Sequence, residues 1–115
     1  MIVGHINDLK GTPVVSEAVK NISKQVLVSP TEGWDGYVMR VFTIGDDGHT
    51  PKHRHAWPHI NWVIAGEGIL HLEGTDYPLK EGSYAYVPSD ALHQFTNPGS
   101  EPLRFICIVP EEGDV

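Results

Sequence analysis

Gly48-His-Thr-Pro-Lys-His53-Arg-His55-Ala-Trp-Pro-His59-Ile-Asn-Trp-Val-Ile-Ala-Gly66 is the stretch on which the reading of this chain turns. Four of the seven histidines fall within it, and three of them, His53, His55 and His59, are crowded into one short run. If Thr50 to His55 runs as a short strand, side chains two apart share a face, so His53 and His55 project together. His59 opens the next strand, after the Trp57-Pro58 corner, and can face them from the neighbouring position. Three imidazoles on one surface are costly to bury, because both ring nitrogens of each need a partner. A divalent ion meets that need, taking one nitrogen from each and leaving the other to a nearby acceptor. A solvated, histidine-rich hairpin is the plainer alternative, and His53 and His55 alone do not decide between the two.

Outward from this stretch the chain reads as strands punctuated by turns. Tyr37 to Ile44 is a strand closed by Gly45-Asp46-Asp47-Gly48. His59 to Ala65 ends at Gly66-Glu67-Gly68. Ile69 to Glu73 and Tyr77 to Leu79 form a hairpin around Gly74-Thr75-Asp76. Ser83 to Val87 stops at Pro88, Leu92 to Asn97 precedes the turn Pro98-Gly99, and Leu103 to Val109 runs into an acidic tail. Short strands with turn signals every ~8–12 residues indicate an all-β sandwich or barrel. The 12 Gly and 9 Pro fall between the apolar runs, as that class requires. No helical periodicity of convincing length exists. Ser16 to Ser29 fits a strand as well as a helix, either a β-arm pairing with the sheet or with a second subunit, or a simple barrel strand.

With 115 residues, one domain is expected. The net charge of −7 opposes a nucleic-acid partner, since a phosphate backbone demands clustered Lys and Arg. No apolar run approaches the ~18 residues needed to span a bilayer, and the N-terminus lacks the basic start and apolar stretch of a signal peptide. With Cys107 the sole cysteine there is no internal disulfide. A cytoplasmic protein without membrane contact is the expectation.

Two segments resemble the paired motifs of the cupin superfamily. The stretch from Gly48 to Gly66 is similar to the first motif: a glycine, two histidines one residue apart, a glutamate and a closing glycine. Gly82-Ser-Tyr-Ala-Tyr-Val-Pro88-Ser-Asp-Ala-Leu-His93-Gln-Phe-Thr-Asn97 is similar to the second, with its glycine, proline, glycine, histidine and asparagine. The resemblance implies a double-stranded β-helix, or jelly-roll, barrel, with residues 1–36 as an N-terminal β-arm and 37–110 as the barrel. It also implies a metal held by His53, His55, His59 and His93. Gly48 lies one residue closer to the first histidine than the motif asks, and Asp90 stands where the second motif has glycine. His59 occupies the glutamate position, which keeps a ligand but removes a negative charge. The chain resembles in particular the small stand-alone manganese cupins with a four-histidine site. That likeness runs from Tyr37 onward and includes Val38-Met39-Arg40, Trp57 and Arg104-Phe105-Ile106-Cys107.

Four neutral imidazoles leave two of six octahedral positions open to an oxygen ligand. The resemblance points to Mn(II) or Fe(II); Zn, Ni and Cu also suit imidazole. Period-2 alternation places Asn61 and Val63 on the His59 face and Phe95 on the His93 face. Position in the resembled family turns Phe105 and Cys107 inward too, with Arg40 either in the pocket or outward. Arg40 could pair with a substrate carboxylate or enolate. His5, His49 and His71 are read as solvated. The implied function is a dioxygenase-like oxidoreductase acting on a small organic substrate. The alternatives are a metal-dependent lyase, isomerase or cyclase, and a non-catalytic binding module. Exposed edges and the arm suggest a homodimer, with Trp34, Trp57 and Trp62 as candidate contacts.

Overall fold

The computed structural model describes residues 1–114 as a curled antiparallel sheet, with three short 3-10 turns. Its strands are β1 (Thr12–Val14), β2 (Lys20–Val28), β3 (Tyr37–His49), β4 (His59–Ala65), β5 (Gly68–Leu72), β6 (Thr75–Leu79), β7 (Tyr84–Val87), β8 (His93–Thr96) and β9 (Leu103–Pro110). Hydrogen bonds link them in the order β6-β5-β8-β3-β9-β4-β7, with β2 added to β3 and β1 to β2. β3 is the hinge of this jelly roll. Its first half pairs with β9 and β2, while its last residue, His49, reaches Thr96 on β8. One layer is therefore β1-β2-β3-β9-β4-β7 and the other β6-β5-β8.

Side-chain alternation turns one face of each layer inward. On β9, Leu103, Phe105, Cys107 and Val109 are buried; on β4, His59, Asn61 and Val63; on β8, His93 and Phe95. Phe95 and Phe105 stack across the layers with ring centroids 4.5 Å apart. Leu70, Val63 and Leu103 complete the floor of the core.

The β5–β6 turn is the two-residue Glu73-Gly74, with φ of 47° and 82°. Both positive values match the hairpin geometry that glycine favours at its second position, so Thr75 and Asp76 belong to β6 rather than to the turn. Gly66 is more tightly constrained. Its φ is 82°, and a Cβ there would run into the Pro102 carbonyl oxygen. Asn97 staples the layers at the same end. Its amide donates to the carbonyls of Ile44, Gly45 and Glu101, and its oxygen accepts from the Gly99 N–H.

Two sequence expectations are corrected. Gly45-Asp46-Asp47-Gly48 does not end a strand; β3 continues to His49 through a bulge opposite Asn21. The break in register is real, but the Asn21 amide bonds the Asp46 carbonyl and keeps the chain on course. Thr50 to His55 is not a strand. Pro51 lacks a donor, and the segment is tied down by an isolated backbone bridge between His53 and His93, with both N–H···O distances 3.1 Å, by the Thr50 N–H donating to the Phe95 carbonyl and by the His55 carbonyl accepting from the Asp90 N–H. The Ser16 to Ser29 segment becomes β2 and pairs with β3 of its own chain. Among the described residues no helix is long and apolar enough to cross a membrane.

Candidate metal centre

Four imidazoles meet at one end of the barrel. His53 and His55 come from the irregular segment before β4, His59 from the first residue of β4, and His93 from the first residue of β8. Candidate ligand atoms of His53, His55 and His93 lie within 4.8 Å of one another. His59 joins them, its Nε2 3.2 Å from Nε2 of His93 and its ring centroid 5.4 Å from that of His55. His53 and His55 stand edge to face at 4.9 Å without any strand beneath them. What holds His53 in place is its bridge to His93, which ties the two motifs together.

Each of three rings is oriented through its other nitrogen. His55 Nδ1 donates to the Trp57 carbonyl at 2.7 Å, His93 Nδ1 to the Ala91 carbonyl at 2.8 Å, and His59 Nδ1 to Asn61 Oδ1 at 2.6 Å. Oxygen acceptors require the proton on Nδ1, so all three Nε2 atoms carry bare lone pairs. The donor set fits a divalent ion for that reason. With the proton of each ring on Nδ1, the Nε2 lone pairs of His59 and His93 face each other at 3.2 Å. A shared proton is a poor substitute. Burial pushes His59 down to about 3, against the opposing hydrogen bond to Asn61, and the neighbouring His93, His55 and Arg40 lower it further. Burial likewise lowers His93. It pushes the more exposed His53 down to about 4, with help from His93 and His55. His53, His59 and His93 are thus held in the neutral form, the form that binds metal.

The imidazoles border a cavity of about 350 Å³, at the small end of ligand pockets. Of the residues singled out in the sequence, Arg40, Asn61, Phe95, Phe105 and Cys107 line it. Val63 shares their inward face but packs into the core instead of onto the wall. Arg40 is buried at 6% exposure, and its Nη2 donates to Cys107 Sγ at 3.1 Å. Burial pushes the Cys107 thiol up, although Arg40 and Asn61 oppose the shift. The wall carries no Asp or Glu among the described residues.

Several wall residues escape a motif-based reading. Val14, Ser16, Val19 and Ile22 come from the N-terminal segment, and Gly113 from the last turn. Trp57, expected as a candidate subunit contact, also lies on the cavity, stacked on His55 with centroids 4.7 Å apart and planes 10° from parallel. Of the other histidines, His5 caps a 3-10 turn, His49 bonds the Thr50 carbonyl, and His71 lies between Asp76 and Thr96.

Comparisons with known proteins bear on the family and the fold. The chain is 29% identical over 99 residues to 1-methylthio-D-xylulose 5-phosphate methylsulfurylase of Rhodospirillum rubrum, covering 86% of this chain and 62% of that protein. It is 32% identical over 50 residues to the oxalate-binding protein of Thermotoga maritima, covering 44% of this chain and 41% of that one. The chain thus spans less than two thirds of either relative. The solved structure of the polyketide cyclase RemF from Streptomyces resistomycificus superposes with a TM-score of 0.90 at 26% identity, over 96% of this chain and 80% of that one. The Cupin_2 family model, described as the cupin domain, matches residues 40–109, a span that runs from Arg40 through all four histidines to Val109. This chain belongs to the cupin domain family.

Proposed function

We propose that the chain is a metal-dependent enzyme acting on a small organic substrate, with one divalent ion held by His53, His55, His59 and His93. The observation that carries this reading is the lone-pair contact between His59 and His93, which a cation relieves. Bound there, Mn(II) or Fe(II) supplies a Lewis acid and a redox centre with positions open to oxygen ligands. The chain's own residues do the rest. Asn61, Trp57 and Ala91 fix the imidazole tautomers. Phe95, Phe105 and Val109 give the cavity its apolar lining. Among the described residues no Asp or Glu lines the cavity beside the histidines, and Asp114 stands on the far side, shared by Arg40 and Lys24, which favours dioxygenase-like oxidoreduction over carboxylate-assisted proton abstraction.

A second reading, a lyase, isomerase or cyclase in which the ion polarises a carbonyl, is supported by the likeness to a polyketide cyclase. Oxygen uptake with phenols, diketones and styrenes by the Fe(II)- and Mn(II)-loaded protein tests the first reading. Turnover under strict anaerobiosis with Zn(II) or Ni(II) selects the second. Inertness with every metal rejects both and leaves a non-catalytic binding protein.

We also propose a homodimer. Ile60 and Trp62 on β4 pair with Tyr86 and Tyr84 on the edge strand β7, and all four side chains are at least half exposed on one outward face. Such a patch is a natural self-association surface. Light scattering on Trp62→Glu should show a shift to monomer, and a monomeric parent protein refutes the proposal.

A further inference from the structure

Beyond the histidines, the cavity wall bears one charged side chain, Arg40. Its guanidinium is underused. The group offers five N–H donors and accepts nothing. Nη2 meets only the Cys107 sulfur, a weak acceptor. Nη1 lies 3.6 Å from Asp114 Oδ1, beyond ordinary hydrogen-bond length. Nε is buried with no acceptor among the described residues. The same Asp114 oxygen is 3.2 Å from Lys24 Nζ, so one carboxylate is divided between two cations. Phe42 holds the guanidinium plane in place, the central carbon 4.8 Å from its ring centroid.

Asp114 follows Gly113, which lines the same cavity and sits so close to Trp57 that a Cβ would come within 2.6 Å of the indole. The last turn of the chain thus leans on the rim and extends a carboxylate toward Arg40. The register sets Arg40 opposite Cys107, and Cys107 opposite Asn61, in one row across β3, β9 and β4. Asn61 in turn holds His59. One small molecule can therefore address the guanidinium and the imidazoles together.

We propose that Arg40 is an anion subsite that takes the carboxylate or enolate oxygens of a small substrate with an aromatic or apolar body, displacing Asp114. A planar guanidinium matches two oxygens of one carboxylate better than a single shared oxygen at long range. Phe42, Phe95 and Phe105 supply the aromatic surroundings, and the cavity volume excludes a large ligand. The inference rests on the metal reading for one point, that the far side of the substrate faces the histidines.

Calorimetry on the full chain, metal-free and Zn(II)-loaded, tests this with benzoate, its neutral isostere benzamide, and acetylacetonate as the enolate. Benzoate or acetylacetonate should bind about tenfold more tightly than benzamide, the tighter of the two identifying the anion preferred. Arg40→Gln should abolish that preference while leaving zinc uptake unchanged, and Asp114→Asn should tighten anion binding several-fold without moving benzamide. Equal binding of both anions and benzamide to the parent protein overturns the proposal, as does anion affinity that survives Arg40→Gln. Should Arg40→Gln fail to fold, Asp114→Asn decides, and no tightening overturns it. A chain that takes up no zinc yet keeps the anion preference sinks the metal reading and leaves this one standing.

Discussion

Acidifying the metal-free protein should destabilise it well above the range in which carboxylates titrate, with His59 a large contributor beside His93 and His53. Its imidazole is 5% exposed and pushed by burial down to about 3, whereas in the unfolded chain it takes up a proton near 6.5. Between those values the unfolded state binds the extra proton, so stability is full above about pH 6.5 and falls as pH drops toward 3. Each pH unit in that window removes about 1.4 kcal/mol per such group. From pH 7 to 4.5, His59 alone therefore costs about 3 kcal/mol, a large share of the ~5–15 kcal/mol typical of a domain. His53 adds to the trend in the same direction, weakened by its exposure to water. Urea unfolding followed by tryptophan fluorescence, in chelator and at half-unit pH steps, measures the curve. His59→Gln should flatten it by most of that amount. A parent curve level between pH 7 and 4.5, or an equally steep one in the variant, would refute the reasoning.

Further outcomes follow from the same geometry. His93→Ala removes both a ring at the centre of the cluster and its contact with His59, and should abolish retention of one metal per chain on dialysis; His71→Ala, outside the cluster, should not, as elemental analysis will show. Gly66→Ala forces a side chain into the Pro102 carbonyl at positive φ and should cost about 3 kcal/mol or more in urea unfolding. Asn97→Ala strips the amide from three carbonyls at a site 1% exposed, and should cost about 2–4 kcal/mol by the same measure.

Much of the barrel was legible because β4, β8 and β9 alternate cleanly, so one parity of residues had to be apolar or site-forming. Asn61 and Phe95 were placed that way, counting from His59 and His93. The reading failed where chemistry and conformation part company. Gly45 to Gly48 has turn composition yet sits in a bulge, because Asn21 on the facing strand supplies the missing partner. His53 and His55 reach one site without a strand, since backbone bonds to the distant His93 do the positioning. The N-terminal wall and the Gly113–Asp114 turn carry no local signal at all. They matter only because β2 and the last turn fold back over the opening.

The row joining β3 to β9 pairs residues 67 positions apart at Arg40 and Cys107. Such distant pairing makes folding slow compared with a chain of local contacts, and the motif histidines are themselves split between two halves brought together by it. His53 cannot be held against His93 until the barrel closes. On the proposed metal reading, an ion would enter a finished barrel and act on unfolding more than on folding. The metal a copy acquired would then be set by the pool around the folded chain, not by the one around the nascent chain.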